Sequence, residues 1–216
     1  MKILFILSGG LDSTTALYEL RQEHEVVEAL TFDYGQRHRR EIASAQRICE
    51  ILELPHRTID ISNLNELLQG SSLTSPQIAT PHGHYREETM KQTFVPNRNA
   101  IMINIAAGYA ISRKIYGLGL GVHAGDHYIY PDTRPEFIAS QEQTLSLANE
   151  CEFKLIAPFL HAHKSDIVAR GHALGVPFEH TWTCYEGGKK PCGQCGSCTS
   201  RLEAFAKNNL TDPLVY

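Results

Sequence analysis

The sequence lacks an excess of positive charge, and it also lacks long apolar runs. Its 216 residues carry a formal net charge of −4, so the chain has no basic field that would hold long nucleic acid nonspecifically. The apolar run at residues 3–7 is too short for a signal peptide, and the run at 100–111 is interrupted by Asn104 and too short to span a bilayer. We therefore expect a cytoplasmic protein with small-molecule substrates, no membrane partner and no direct binding of long nucleic acid.

Internal repeats and low-complexity segments are also absent, and what remains is an alternation of predicted strands and helices. Apolar segments predict strands at 2–7, 26–34, 57–61, 116–122 and 153–157. Helical periodicity predicts helices at 16–21, 39–54, 97–114, 136–149, 164–174 and 200–207. This order predicts an α/β fold, a Rossmann-like parallel sheet with helices on both faces. The polar segment 63–91 has little periodicity and predicts a functional loop or lid.

A glycine-rich turn directly follows the first predicted strand and opens a helix. In the segment SGGLDS, at 8–13, the glycines let backbone N–H groups approach an anion, and hydroxyl groups and the helix N-terminus add donors. Asp12 would repel a phosphate unless Mg²⁺ lay between them, so the pattern predicts a nucleotide–magnesium complex. The patterns GxxxxGK[ST] and GxGxxG are absent, which excludes a Walker A loop and a dinucleotide fingerprint. A glycine turn with a serine N-cap and no ligand is the alternative.

Four of the six cysteines lie close together near the C-terminus. Cys184, Cys192, Cys195 and Cys198 have the spacing C-x7-C-x2-C-x2-C, in which the short spacings with glycine let the thiolates turn toward one ion. In a reducing compartment such a group indicates metal ligands before disulfides. Four thiolates suit a closed, structural Zn²⁺ site, and an iron–sulfur cluster is the alternative.

Several other polar residues allow two interpretations. Cys49 and Cys151 lie outside the cysteine group and are expected to be inert core residues. Lys164 opens a predicted helix, and its side chain could reach ATP. The basic run 37–40 is expected to be the solvated start of a helix, with phosphate binding as the alternative. A second metal site is the less favoured interpretation of three histidine-containing groups, at residues 123, 126 and 127, at 82 and 84, and at 161 and 163.

The SGGLDS turn matches the signature of PP-loop enzymes, which cleave ATP between the α and β phosphates. Within this class the chain resembles the 7-cyano-7-deazaguanine synthase family over almost its whole length. The segments that carry this resemblance are TFDYGQRH at 31–38, FVPNRN at 94–99, GVHAGD at 121–126, YPDTRPEF at 130–137, and the cysteine group with Thr183 and Tyr185. Together these motifs are highly specific.

The resemblance implies an ATP-dependent carbon–nitrogen ligase. Such an enzyme converts 7-carboxy-7-deazaguanine and ammonia to 7-cyano-7-deazaguanine through adenylated acid and amide intermediates, and it releases AMP and pyrophosphate. The resemblance also implies a homodimer, structural Zn²⁺ at the four cysteines, Mg²⁺ with ATP, and catalytic roles for Asp12, Ser13 and Arg98. The implied substrate-binding residues are Arg98, Asn99, Asp126, Tyr130 and Asp132. The implied ATP-binding residues are Leu7, Ser8, Gly9, Gly10, Leu11, Asp12, Ser13, Thr14, Thr15, Ala16 and Leu17.

We expect two units, an ATP-binding α/β domain at 1–180 and a zinc-binding, helical segment at 181–216 packed on it. Asn97 stands where the family often has glycine, and Thr133 where it often has cysteine; both flank the expected pocket and bear on substrate preference. Three other functions remain as alternatives: an amide-forming deazaguanine synthetase, a tRNA-thiolating PP-loop enzyme, and a noncatalytic nucleotide- or metal-binding module. The thiolating enzyme is disfavoured because the chain has no basic extension and nearly all its cysteines are in one group.

Overall fold

The computed structural model describes residues 1–125 and 130–216, and its strands form one parallel sheet. The strands are β1 Lys2–Ile6, β2 Glu25–Asp33, β3 His56–Asp60, β4 Gly117–Gly119 and β5 Lys154–Ile156, in the order β3-β2-β1-β4-β5. The helices are α1 Leu11–Leu20, α2 Arg40–Ile51, α3 Glu87–Thr93, α4 Arg98–Ser112, α5 Pro135–Ala148, α6 Lys164–Ala173 and α7 Gly196–Lys207. Short 3-10 turns span Ser62–Glu66, Pro131–Thr133 and Phe178–His180.

The sheet is covered by helices on both faces, because side chains alternate between the faces along each strand. Ile3 and Phe5 of β1 pack against apolar residues of α1, α2, α6 and α7. Leu4, between them in sequence, packs on the opposite face against apolar residues of α4 and α5. The predicted α/β fold with a parallel sheet and two helical layers is therefore confirmed.

The order of the strands creates a crevice at the carboxyl ends of β1 and β4. The chain winds outward from β1 in one direction through β2 and β3, and in the other through β4 and β5. Ligands of open parallel sheets bind at such a reversal point. Gly121 follows β4 there and lies against the start of α1, so that a Cβ on Gly121 would come within 2.3 Å of the Ser13 Cα atom. Only glycine lets the two segments approach so closely.

Several predicted boundaries and orientations differ from the structure. The first helix begins at Leu11 rather than 16, and the last begins at Gly196 rather than 200, because the turns before them already have helical geometry. Helical periodicity predicts that Ile51 of α2 faces inward, which is wrong: it is 39% exposed, while Cys49 takes a buried position. Ile51 is the last residue of the helix, and its side chain lies at the surface.

The segment predicted as a long loop is held by specific contacts and contains α3. The Arg37 guanidinium donates hydrogen bonds to Thr80 Oγ1 at 3.1 Å and to the carbonyl oxygens of Ser75 and Ile78, both at 3.0 Å. These bonds tie the segment to the turn after β2. Because the donor is about forty residues distant in sequence, local periodicity gives no sign of this ordering.

The C-terminal residues pack into the body of the fold. Phe205 of α7 lies edge-on against Phe178, with ring centroids 5.1 Å apart. Arg201 is completely buried and pairs with the Asp212 carboxylate at 2.7 Å. Arg201 also donates to Thr181 Oγ1 at 2.7 Å, so one side chain joins three parts of the C-terminal segment. In the described ranges no helix combines the length and apolar character needed to cross a membrane.

Candidate active site

A cavity of about 290 Å³ opens at the crevice between the carboxyl ends of β1 and β4. Its walls come from the turn after β1, from the start of α4, from the segment before α3 and from the C-terminal segment. The size is close to the lower end of the range for small-molecule sites, which is about 300–1,000 Å³. The described residues that were predicted to bind nucleotide and substrate meet mostly in this one space.

The glycine turn forms one wall of the cavity. Gly9 has a φ of +83°, and a Cβ there would lie 2.0 Å from the carbonyl oxygen of Glu41 at the start of α2. The Ser8 and Ser13 hydroxyl groups lie 2.8 Å apart. The Gly10 N–H donates to Ser8 Oγ at 3.2 Å, and that bond is exposed to solvent. Hydroxyl groups and the N-terminus of α1 thus converge at one mouth of the cavity, where an anion is favoured.

The two oxygens of the Asp12 carboxylate differ in their partners. Oδ2 accepts a hydrogen bond from Lys164 Nζ at 2.9 Å and lies 3.8 Å from His123 Nε2. Oδ1 is buried and has no hydrogen-bond partner within the described ranges. Burial pushes the pKa of Asp12 up, but Lys164 and His123 together outweigh it, and the pKa is lowered. A buried, ionised oxygen without a donor is suited to a hard cation such as Mg²⁺.

Only the first part of the predicted ATP-binding range lines the cavity, and the rest is buried within α1. Leu7, Ser8, Gly10, Leu11, Asp12 and Ser13 line the cavity. Gly9 lies behind them against α2. The side chains of Thr14, Thr15, Ala16 and Leu17 are fully buried in α1. Thr15 Oγ1 donates to the Leu11 carbonyl oxygen at 2.9 Å, so this hydroxyl stays within its own helix. The second half of the range therefore supports the turn and has no contact with the cavity.

The opposite helical layer supplies three of the predicted substrate-binding residues. Arg98, Asn99 and Tyr130 all line the cavity. The Arg98 guanidinium carbon lies 5.5 Å from the centroid of the Tyr130 ring and 5.8 Å from that of Tyr34. Asp126, the fourth predicted residue, lies outside the described residues.

Asp132, also predicted to bind substrate, lies behind this wall and not on it. Its Oδ2 atom accepts the Asn99 backbone N–H at 3.1 Å, and the Asn99 side chain donates to the Asp132 carbonyl oxygen at 3.1 Å. The first of these two hydrogen bonds gives a partner to a backbone N–H of the first turn of α4, which has none within the helix. In the described residues Asp132 Oδ1 is buried without a partner. Asp132 thus holds Asn99 at the cavity.

The two departures from the family pattern have different settings. Asn97 has a φ of +56°, in the left-handed region that glycine and asparagine adopt most readily. It is exposed and does not line the cavity. The left-handed backbone conformation therefore explains why asparagine can replace glycine at this position. Thr133 does line the cavity, and its hydroxyl donates to the Tyr130 carbonyl oxygen at 2.9 Å. Only Thr133 therefore bears on the shape of the cavity.

Sequence reasoning did not identify the aromatic wall formed by Tyr34, Tyr85 and Tyr185. The phenol oxygens of Tyr85 and Tyr185 lie 2.8 Å apart. Burial raises the pKa of Tyr34 and of Tyr85 well above that of a free phenol, so both stay neutral and can donate hydrogen bonds. Tyr85 comes from the polar segment 63–91, where a lone tyrosine carries no periodic signal.

A buried histidine and a carboxylate also reach the cavity without having been predicted as site residues. His38 is 3% exposed, and its Nε2 atom lies 3.2 Å from Glu41 Oε2. Glu41 Oε1 accepts a hydrogen bond from the Gln36 side chain at 2.9 Å. The basic run 37–40, expected to be solvated, therefore contributes one buried side chain to the site. No local pattern in the sequence separates His38 from the arginines around it.

The four cysteines form one group that could hold a metal ion. Their sulfur atoms all lie within 4.8 Å of one another. Ligands about 2.3 Å from a tetrahedral ion would be about 3.8 Å apart, so the group is close to the required size. The Cys192 Sγ atom accepts the Cys195 backbone N–H at 3.2 Å, so a backbone donor lies against this sulfur. Within the described ranges no other cluster of histidine, cysteine or acidic side chains meets the same criterion.

The segment before α3 docks on this cysteine group and joins it to the cavity. The Gly83 N–H donates to the Gln194 carbonyl oxygen at 2.7 Å, and His82 pairs with Cys195 in an antiparallel bridge. Tyr85 follows directly and contacts Gly196. Cys49 and Cys151 lie outside the group; burial raises the pKa of Cys49 to about 12, which keeps its thiol protonated and unreactive.

Two solved structures have the same fold as this chain. An NMN synthetase from Francisella tularensis is 17% identical, with a TM-score of 0.51 over 97% of this chain and 77% of that chain. A 4-thiouridine synthetase, solved as an RNA complex with bound ATP, is also 17% identical, with a TM-score of 0.51 over 94% of this chain and 49% of that chain. The fold and the glycine turn after β1 define a PP-loop-type α/β protein.

Sequence comparisons then give the family. The model of the family "Queuosine biosynthesis protein QueC" matches residues 2–209. A 7-cyano-7-deazaguanine synthase from Hahella chejuensis is 52% identical over 98% of this chain and 91% of that protein. Synthases of the same name from Pseudoalteromonas translucida and Brucella anthropi are 48% and 50% identical, each over 100% of this chain and over 98% and 94% of their own lengths. The chain belongs to the QueC family, as its motifs predicted.

Proposed function

We propose that the protein converts 7-carboxy-7-deazaguanine and ammonia to 7-cyano-7-deazaguanine at the expense of ATP. Family membership and the shared name of relatives about half identical to the chain support this function. The observation that carries it is one cavity bounded both by the turn 8–13 and by Arg98, Asn99 and Tyr130. A single space of this kind lets a nucleotide and an aromatic acid react directly.

The proposed chemistry uses two adenylations. A carboxylate cannot expel oxide, so one of its oxygens first attacks the α-phosphorus of ATP, and pyrophosphate leaves with the electron pair of the broken P–O bond. Ammonia attacks the resulting acyl adenylate, loses a proton, and expels AMP to give the amide. The amide oxygen then attacks a second ATP and releases a second pyrophosphate. Loss of two N–H protons and of AMP from this adenylate gives the nitrile.

The turn after β1 is proposed to stabilise the departing pyrophosphate. The Ser8 and Ser13 hydroxyl groups, the Gly10 N–H and the N-terminus of α1 lie at the same mouth of the cavity. Donors fixed before the reaction stabilise charge that develops in the transition state. Asp12 would hold Mg²⁺ through its unpaired Oδ1 atom, and Mg²⁺ would neutralise phosphate charge. Lys164 keeps the Asp12 carboxylate ionised and oriented.

The wall formed by the start of α4 is proposed to bind the deazaguanine. Asn99 and Tyr130 supply donors and an aromatic ring for the deazaguanine, Arg98 supplies a cation for the acid group that this substrate carries, and Asp132 orients Asn99. Asp126 belongs to the same proposal through the resemblance of its motif. Carboxylate and amide oxygens would pair with the N–H groups of a guanine-like edge.

The cysteine group is proposed to hold one structural Zn²⁺. Four thiolates complete a tetrahedral shell, so no position would remain for a substrate. Sulfur atoms that all lie within 4.8 Å of one another suit one ion better than a cluster, whose four irons would separate the ligands further. The metal would fix the segment 184–198, and through it Tyr85 and Tyr185 at the cavity.

The organisation of the chain remains part of the proposal. We propose that 1–180 forms the ATP-binding domain and that 181–216 forms the metal-binding segment packed on it, which the contact of Phe205 with Phe178 supports. We also propose a cytoplasmic homodimer, supported by the family resemblance and by thiols that need a reducing compartment. Light scattering of the purified protein tests the dimer, which would be contradicted by a mass near 24.2 kDa.

The function is tested by product analysis of the purified protein with ATP, ammonia and 7-carboxy-7-deazaguanine. We expect the nitrile, two AMP for each nitrile, and no ADP. Asp12→Asn, which keeps the shape but removes the charge, is expected to abolish turnover, whereas Asp60→Asn, at the exposed end of β3, is expected to retain it. One AMP with amide as the final product would instead indicate an amide-forming synthetase, and ADP would refute the proposed adenylation.

A further inference from the structure

Arg98 places a cation in the wall of the cavity. It is the first residue of α4, and it lines the cavity with its guanidinium beside the rings of Tyr34 and Tyr130. Its side chain has no carboxylate within ion-pair distance in the described ranges. Six other arginines in the described ranges have such partners: Arg39 with Asp33, Arg47 with Glu50, Arg57 and Arg113 with Glu28, Arg170 with Glu19, and Arg201 with Asp212.

Asp132 is close enough for its charge to act on Arg98, but the two side chains form no ion pair. Asp132 lies behind the wall, where its Oδ2 atom accepts the Asn99 N–H. Burial opposes the charge of Arg98, yet its neighbours Tyr34, Tyr130 and Asp132 raise its pKa overall. The guanidinium therefore remains a cation in a partly buried, aromatic setting. A cation there is stabilised when an anion arrives to pair with it.

The shape of the site selects a planar anion. Guanidinium presents parallel N–H groups that match the two oxygens of a carboxylate, and aromatic rings beside it restrict its plane. The reaction has two anionic reactants, the acid and ATP. The phosphates have their proposed site at the turn 8–13 on the other helical layer, whereas Arg98 lies beside Asn99 and Tyr130.

We propose that Arg98, held between Tyr34 and Tyr130, is the carboxylate subsite for the first adenylation and has no such role in the second. This inference rests on the proposed function. In the first stage the guanidinium binds the carboxylate and aligns one oxygen toward the α-phosphorus. The amide formed afterwards is neutral, so it gains little from the cation. The subsite therefore distinguishes the starting acid from the intermediate.

The test compares two substrates with the same variants. Wild type, Arg98→Gln and Arg98→Lys are assayed with ATP and ammonia on the 7-carboxylate, and with ATP alone on the corresponding 7-carboxamide. For Arg98→Gln we expect kcat/KM on the acid to fall about 100-fold, and kcat/KM on the amide to stay within about threefold. Arg98→Lys keeps the charge but loses the paired donors, so a fall of about tenfold on the acid is expected. Arg47→Gln, on the surface of α2, is the matched control.

Equal losses on acid and amide would overturn the proposal and would indicate that Arg98 serves the phosphates or the fold. An unchanged rate on the acid would also overturn it. Calorimetric titration in the absence of ATP is an independent test, because it measures binding alone. Wild type is expected to bind the acid at least about tenfold more tightly than the amide, and Arg98→Gln is expected to lose this preference. Wild type that binds acid and amide equally contradicts the subsite. Wild type that has the preference but makes no nitrile contradicts only the proposed function.

Discussion

Replacement of Gly9 by alanine tests how the glycine turn is built. At a φ of +83°, the alanine backbone is strained by about 1–2 kcal/mol. The new Cβ would also lie 2.0 Å from the Glu41 carbonyl oxygen and 2.6 Å from the Ala45 nitrogen, so α2 must move. Forced overpacking costs about 1–3 kcal/mol more. The sum, roughly 2–5 kcal/mol, corresponds to a melting temperature about 4–20 °C lower for a domain of this size.

The control variant Gly175→Ala separates the cost of backbone strain from the cost of steric overlap. Gly175 has a φ of +68°, but nothing lies within 4 Å of the position that an alanine Cβ would take, so only the backbone strain applies. We expect a smaller fall in melting temperature and unchanged ATP affinity. Gly9→Ala is expected to weaken ATP binding as well, since the turn shifts with α2. Calorimetric melting and ATP titration of both variants measure this. Equal melting temperatures, or normal ATP affinity in Gly9→Ala, would refute the reasoning.

Three other predictions concern groups outside the turn. Burial lowers the pKa of His56 below its ordinary value of about 6.5. The folded state therefore has stability above that pH that is lost as the pH falls through the pKa of His56 in the folded protein. NMR titration of His56 checks this prediction, and a pKa above about 6.5 would contradict it. Arg201→Met leaves the Asp212 carboxylate buried without its ion-pair partner, and we expect the free energy of unfolding in urea to fall by about 3–5 kcal/mol. Adding Asp212→Leu is expected to recover most of this loss. If it recovers none, the ion pair is not the cause. Cys195→Ser is expected to lose bound metal and solubility together, by elemental analysis and sedimentation, and a metal-free variant with full folding and activity would disprove the structural role.

Local sequence patterns predicted most of the fold because its elements follow short-range rules. The buried runs at β1 and β2 and the glycine turn between β1 and α1 are local signals. The shortness of β4, only Gly117–Gly119, could not be predicted, because pairing with β1 and β5 determines where its ladder ends. Ile51 was expected inside, but the end of α2 depends on the segment that follows it.

The places of the candidate site residues were predictable where those residues lie in contiguous motifs. The turn 8–13, the pair Arg98 and Asn99, and the cysteine group are each read from a few adjacent residues. Tyr85 was not predictable, because it reaches the cavity only through the docking of its segment on Gln194 and Cys195. The position of Asp132 behind Asn99 likewise depends on how two distant segments meet.

The central claim is that the acid reacts at the α-phosphorus of ATP, and oxygen transfer tests this most directly. The substrate is 7-carboxy-7-deazaguanine with both carboxylate oxygens replaced by ¹⁸O, and the nucleotide products are analysed by mass spectrometry. Each adenylation moves one substrate oxygen to AMP, so the account predicts one ¹⁸O in each of two AMP molecules for every nitrile formed. Unlabelled AMP, or ADP with ¹⁸O in inorganic phosphate, would contradict it.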